Sequence, residues 1–531
     1  MIGKRFRNLA TVLCAVCMTF NPLVDAWAAS GSTSNPAESY NTTTPIKHVV
    51  VIFGENISFD HYFATYPNAT NPPSEPRFTA LPNSPTVNNL LSGGLLTENP
   101  NSVQPFRLDR TQSVTCDLNH NYGPEQQAFD NGAMDLFPQS TGVGATPPST
   151  CDYGHGTGLV MGYYDGNTVT ALWNYAQHYA LSDNSYNTQF GPSAPGAINL
   201  VSGNTANVQY VSGNPNTLGT ISGAGTSGAL LGDGRPAGDD CNPSGKTYVS
   251  FPSGTTNVGD LLNNVSYTWG WFQGGFGATT PSVNGSTAVC AAASVGLAGS
   301  TADYVAHHEP FQFYPETANP HHLAPTSNAA IGTSDQANHQ YDLSAFFTAL
   351  DAGQLPAVSY LKAKAVFDAH PGYSDPLDEQ TFVVNTINAI MANKYWSDTA
   401  IIIAYDDSDG WYDHQMDPLV NQSQSLGDDF LTGAGFCGGN NANAVVSSTQ
   451  GRCGYGPRTP LLVISPYAKQ NYVDHVVTDQ SSILKFIEDN WSLPRIGGGS
   501  ADAKAGSLLG MFDFNKKAPK VLLDPTTGEV Q

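Results

Sequence analysis

Residues 48–63 read HVVVIFGENISFDHYF. The run from His48 to Ile52, apolar at every position after the histidine, predicts a strand buried on both faces rather than one with a wet side. Such a strand leaves the interior on Glu55 and Asn56, a carboxylate beside an amide, and both must find partners. In parallel α/β sheets, ligands bind in the crevice outside the carboxyl ends of the strands. The end of this strand is therefore a candidate site.

The same signature recurs at TAIIIAYDD (399–407), where an apolar strand runs out onto Asp406 and Asp407. Further strands are predicted at AVSYLKA (357–363) and TPLLVISPYA (459–468). Helices are predicted around residues 172–179, where Leu172, Tyr175, Ala176 and Tyr179 recur at helical spacing, from near Ser193, and over residues 379–396 and 481–491. Continuous apolar strands separated by amphipathic helices predict an α/β fold: a mostly parallel central sheet flanked by helices. Residues 66–160 and 202–300 are rich in Gly, Ser, Thr, Asn and Pro, and are expected to be loop-rich insertions forming a cap. There is no internal repeat. The expected organisation is a single catalytic domain over residues 29–531.

Bulk properties narrow the class. The 531 residues carry 21 Lys and Arg against 44 Asp and Glu, a net charge of −23. That balance excludes gripping a nucleic-acid backbone and disfavours adsorption to an anionic membrane. Residues 1–28 have basic Lys4, Arg5 and Arg7, an apolar stretch from Leu9 to Phe20 and Ala26-Trp27-Ala28, the pattern of a secretory signal peptide. No later stretch approaches the roughly 18 apolar residues a membrane span requires, so an exported protein without a stable membrane anchor, periplasmic or secreted, is expected. Beyond the leader stand Cys116, Cys151, Cys241, Cys290, Cys437 and Cys453. Six cysteines allow 15 connectivities; pairing of neighbours is the simplest. None has the C-x-x-C spacing of a zinc-thiolate site.

Adjacent carboxylates at the end of an apolar strand oppose each other's ionisation unless a cation neutralises them. Three carboxylates and the Asn56 amide suit calcium, magnesium or manganese better than zinc. The segment DDSDG (406–410) is also turn-prone by composition. In QFGPSAPGAINLVSG (189–203), Ser193 opens an apolar helical run with Pro195 in its first turn. Its hydroxyl is either an N-cap or a reactive group; a helix N-terminus also stabilises an attached phosphate. The histidines cluster at His120, His307-His308, His321-His322 and His370, and offer charge at mildly acidic pH in a chain poor in Lys and Arg.

Five motifs in this order, HVVVIFGENISFDHYF, FGPSAPGAINLVSG, HHEPFQF, YDDSDGWYDH and GPRTPLLVISPYAKQNYVDHVVTDQSSILKFIEDNW, span nearly the whole chain. Together they resemble the bacterial phosphoesterase family of metal-dependent acid phosphatases and nonspecific phospholipases C, which is similar in fold to alkaline phosphatases and arylsulfatases. The resemblance implies one divalent metal held by Glu55, Asn56, Ser193, Asp406 and Asp407. It implies Ser193 as nucleophile, and His120, His308 and His370 around the phosphoryl oxygens or the leaving group. The phospholipase branch usually reads Asp-Glu-x-Gly-Gly where this chain has Asp406 to Gly410, and has Thr in the Ser193 position. Those departures lean towards the acid phosphatase branch, which implies hydrolysis of phosphate monoesters through a phosphoserine.

Two other readings compete. A phospholipase C acting on phosphatidylcholine-like lipids needs an apolar entrance, for which Trp269, Trp271 and Phe272 are candidates. A non-catalytic, metal-stabilised binding protein would use the carboxylates alone and has no reason to place a hydroxyl beside the ion.

Overall fold

The computed structural model describes residues 34–142, 151–219, 223, 225–416, 418–423, 428–431, 437 and 451–531. The expected leader, residues 1–28, lies outside them. Residues Asn35–Gln531 form one compact unit.

The sheet is built around β1 (His48–Gly54), all of whose residues are buried. The other strands are β2 (Ala180–Ser182), β3 (Trp269–Gln273), β4 (Gln340–Asp342), β5 (Val358–Lys362), β6 (Thr399–Tyr405), β7 (Leu461–Ile464) and β8 (Tyr472–Asp474). Their order across the sheet is β4-β3-β5-β1-β6-β7-β2-β8. Every pairing is parallel except the two made by β7, so seven strands share one direction. The fold is α/β, a large and mostly parallel sheet flanked by helices. Valines and isoleucines dominate β1 and β6, and branched side chains pack well on a pleated surface buried on both sides.

Register does the decisive work. Val49 pairs with Val358 and Ala400, and the ladder to β6 continues until Gly54 meets Tyr405. The chain therefore leaves β1 at Glu55-Asn56 and β6 at Asp406-Asp407 side by side. Gly54 is required there: a Cβ would stand 2.6 Å from the Tyr405 ring.

The main helices are α1 (Phe59–Phe63), α2 (Tyr122–Phe129), α3 (Thr170–His178), α4 (Ser193–Ser202), α5 (Leu343–Asp351), α6 (Pro376–Ala392) and α7 (Gln480–Trp491). The helix expected over 379–396 is α6, four residues shorter at its end because the chain turns at Asn393 to enter β6. Helix α4 is buried on all sides and ends on Gly203 in the left-handed conformation, φ 60°. Gly196 lets it lie directly on the end of β6, since a Cβ there would come 2.1 Å from the Asp406 carbonyl oxygen.

The 202–300 stretch departs from expectation. Its first half does form a separate sheet of short strands, Leu218–Gly219, Ser227–Leu230, Val208–Ser212, Tyr248–Ser250 and Arg235–Pro236 in spatial order. Its second half instead supplies β3 of the central sheet, a strand whose flanking glycines and serines hide it in the sequence. Trp269, Trp271 and Phe272 are fully buried within it and form no entrance to anything. The disulfides join neighbours, Cys116 to Cys151, Cys241 to Cys290 and Cys437 to Cys453, as suits an oxidising compartment. Among the described residues no helix is long and apolar enough to cross a membrane.

Candidate active site

At the paired strand ends, Asn56 adopts φ 60°, which asparagine tolerates. Its amide N–H donates to Asp406 Oδ1 at 2.9 Å and its Nδ2 to Asp409 Oδ1 at 3.0 Å. The Asp407 N–H also donates to Asp406 Oδ1, and the Asp409 N–H to Asp407 Oδ1. The turn chemistry expected of DDSDG is thus present, but it uses only one oxygen of each strand-end carboxylate. Glu55 Oε2, Asn56 Oδ1 and Asp406 Oδ2 are buried without a hydrogen-bond partner. Three orphaned buried oxygens cost too much to leave unmatched, and an all-oxygen set of this kind fits a hard divalent cation. Burial and the Asp406 charge push the Glu55 carboxyl well above the ordinary carboxylate range, against the pull of Lys362. Asp407 is pushed the same way by burial and Asp406.

Ser193 is 1% exposed and is the first residue of α4, whose N-cap is Pro192. Its hydroxyl therefore does not cap the helix. It donates to Asp407 Oδ2 at 3.2 Å, and the Ala194 N–H in the first turn is accepted by Asp233 at 3.0 Å.

The histidines separate by environment. His308 Nδ1 stands 3.2 Å from Glu55 Oε1 and 3.9 Å from Asp368 Oδ2, while its Nε2 is buried without a partner. His307 turns instead to Asp233, 3.6 Å away, so His308 is the member of the pair that reaches the strand ends. His120 lies 3.2 Å from Asp409 Oδ1, and its ring meets that of His370 edge-on at 6.1 Å. His370 has its Nδ1 2.6 Å from the Pro371 carbonyl oxygen and stacks on Tyr373; with His120 it stands beside the Asp117 and Asp409 carboxylates, one ring nitrogen or carboxylate oxygen of each lying within 4.8 Å of the others. Burial opposes charge on all three. At His120 the Asp407, Asp409 and Asp117 carboxylates outweigh it and raise the imidazole well above its usual value. His308 is driven well below by burial and by the Lys362, His370 and Arg235 charges, and His370 is lowered by burial. Among these three, charge is favoured at His120 alone. His322 belongs elsewhere: it is held between Asp239 and the Phe276 carbonyl, beside the Cys241–Cys290 disulfide.

Three residues of the site escaped the sequence reading. Lys362, the last residue of β5, is buried with its ammonium on Glu55; only its place at the end of an apolar strand hinted at this. Asp368 bridges the cluster by accepting the His370 N–H at 3.1 Å. Arg235, from the short-strand sheet, belongs to a strand packed against the Ala306–His308 turn. Among the described residues its guanidinium has no hydrogen-bond partner, and its Nε is buried. The site thus holds more fixed cations than the overall shortage of Lys and Arg suggested.

A model of the phosphoesterase family matches residues 46–494. The chain belongs to the phosphoesterase family. Proteins similar to this chain include the non-hemolytic phospholipases C of Burkholderia pseudomallei, 23% identical over 84% of this chain and 55% of the relative, and of Pseudomonas aeruginosa, 24% identical over 88% and 57%. The chain spans little more than half the length of those two. Phospholipase C A of Mycobacterium tuberculosis is 24% identical over 89% of this chain and 78% of its own. Similar solved structures include murine ectonucleotide pyrophosphatase/phosphodiesterase 5, 9% identical over 65% of this chain and 95% of that one, TM-score 0.29. Another is a Vibrio parahaemolyticus protein of the alkaline phosphatase superfamily, 11% identical over 72% and 71%, TM-score 0.26.

Proposed function

We propose that this phosphoesterase is an exported acid phosphatase that hydrolyses phosphate monoesters through a phosphoserine at Ser193. The observation that carries the reading is the Ser193 hydroxyl on Asp407 Oδ2, beside the three unpartnered oxygens of Glu55, Asn56 and Asp406. Glu55, Asn56, Asp406, Asp407 and the Ser193 hydroxyl are the residues that would hold one divalent cation, calcium, magnesium or manganese before zinc. When bound, that ion supplies the positive charge that favours the serine alkoxide and offsets charge on the phosphoryl oxygens.

The chain's own groups account for the remainder. Asp407 accepts the Ser193 hydroxyl hydrogen bond, orients the oxygen and takes up its proton as the oxygen attacks. Ser193 Oγ forms a bond to phosphorus as the bond from phosphorus to the leaving oxygen breaks in line. His120, the histidine whose neighbours favour charge, gives a proton to the leaving alcohol. Lys362 lies on Glu55, and Arg235 and His308 would supply donors to the phosphoryl oxygens. Water then cleaves the phosphoserine, releasing inorganic phosphate and restoring the hydroxyl.

The names of the relatives favour a second reading, a phospholipase C. Assaying p-nitrophenyl phosphate against p-nitrophenylphosphorylcholine, on chelator-treated protein with single metals restored, separates the two. Turnover of the diester alone would end the monoesterase reading, and turnover of neither would end both.

A further inference from the structure

A cavity of about 430 Å³ lies beside the Ser193 turn, walled by Asn121, Tyr122, Gln127, Asn216, Leu231 and Asp233 among others. Its size is within the roughly 300–1,000 Å³ of small-molecule sites. Two contacts tie it to the nucleophile turn, and the chain itself ties it to His120. Asp233 accepts the Ala194 N–H and reaches His307. Gly191, at φ 114°, is seated between wall residues: a Cβ would stand 3.0 Å from the Leu231 carbonyl oxygen and 3.6 Å from Tyr122 Cβ. Asn121 and Tyr122 directly follow His120 in the chain.

The chemistry of the wall is polar. Asn121, Gln127, Asn214 and Asn216 line it with Asp233, and Phe430 lines it as well. Among the described residues the side chains of Gln127 and Asn216 make no hydrogen bond and are open to a ligand. Planar amides and carboxylates present donors and acceptors side by side, which matches neighbouring hydroxyls on one molecule. Acyl chains would leave these groups desolvated and unpaired, at a cost a lipid cannot recover.

We infer that this cavity is a leaving-group subsite for a polyhydroxylated alcohol, so that the preferred substrates are phosphorylated sugars or polyols. The inference rests on the monoesterase reading and adds the substrate class to it.

The test compares glucose 6-phosphate with p-nitrophenyl phosphate, whose leaving group offers no hydroxyl array, on wild type, Asn216→Trp and a Gln127→Ala/Asn216→Ala double variant. Both substituted side chains, Gln127 and Asn216, are exposed, and circular dichroism checks that each variant is folded. Wild type should favour the sugar phosphate. The variants should lose about tenfold or more in kcat/KM for it, while p-nitrophenyl phosphate stays within about twofold. If wild type hydrolyses p-nitrophenyl phosphate but the folded variants keep the wild-type kcat/KM for the sugar phosphate, or lose kcat/KM for both substrates alike, the subsite is overturned and the phosphatase reading stands. If no monoester is hydrolysed, the phosphatase reading falls and the subsite falls with it.

Discussion

Ser193 and Asp407, 214 residues apart in the chain, meet through a hydrogen bond of 3.2 Å from the serine hydroxyl to the carboxylate. Both are buried, and both lie where an element begins or ends: Ser193 opens α4, and Asp407 follows β6. The hydroxyl makes no other hydrogen bond among the described residues, so its loss is a loss of chemistry more than of structure.

Ser193→Ala is therefore expected to lower turnover by about three orders of magnitude or more, as groups acting in one unit do, and to leave the melting temperature nearly unchanged. Steady-state assay and a thermal melt on the same sample check it. A melting temperature that falls with activity would give the hydroxyl a structural role.

Asp406 and Glu55 carry orphaned oxygens. Adding excess calcium, magnesium or manganese to chelator-stripped protein should stabilise it by about 2.7 kcal/mol at a hundredfold excess over Kd. Asp406→Asn should abolish most of that gain. Calorimetry with and without metal reads both, and an unchanged melting point with every ion would remove the cation from these residues.

Arg235 has no hydrogen-bond partner among the described residues and belongs to a strand packed against the His308 turn. Arg235→Ala should weaken competitive inhibition by inorganic phosphate about tenfold, the order expected of a lost charge-assisted hydrogen bond. Arg235→Lys should restore part of it. Equal inhibition constants in all three proteins would place the guanidinium away from phosphate.

Gly196→Ala would set a Cβ 2.1 Å from the Asp406 carbonyl oxygen. Because backbone cannot yield cheaply, α4 must shift off the strand end, and both stability and turnover should fall. Full activity in a stable variant would show that this seating does not matter.

Glu379 on α6 accepts the Tyr405 and Tyr62 hydroxyls at 2.5 and 2.9 Å. Burial raises its pKa from 4.5 to about 7 despite those two bonds. Between these values the unfolded chain has released its proton and the folded chain retains it, so this group's contribution is fully present below pH 4.5 and is lost as pH rises to about 7. Glu379→Gln should match wild type near pH 4. It should become relatively more stable by up to about 3 kcal/mol at pH 8, at 1.36 kcal/mol per pH unit. Denaturant titrations at several pH values measure the difference, and a constant offset would refute the assignment.

The sequence by itself determined the strands that matter most. Buried parallel strands cannot alternate, so β1 and β6 appear as unbroken apolar runs, and their polar ends at Glu55-Asn56 and Asp406-Asp407 stand out against them. β3 was not legible because its few residues sit in a glycine- and serine-rich stretch, and its aromatics can serve a surface as well as a core. The residues around Ser193 left its hydroxyl open between a cap and a reactive group, a choice narrowed only when the backbone gave Pro192 the N-cap position. Only the folded chain decided that Gly54 faces Tyr405, which brings the two acidic ends together, that Lys362 lies on Glu55, and that Arg235 arrives from a distant strand. The physical reason is that periodicity is written by local burial, whereas pairing between charges depends on sheet register and on long-range packing, which no single segment encodes.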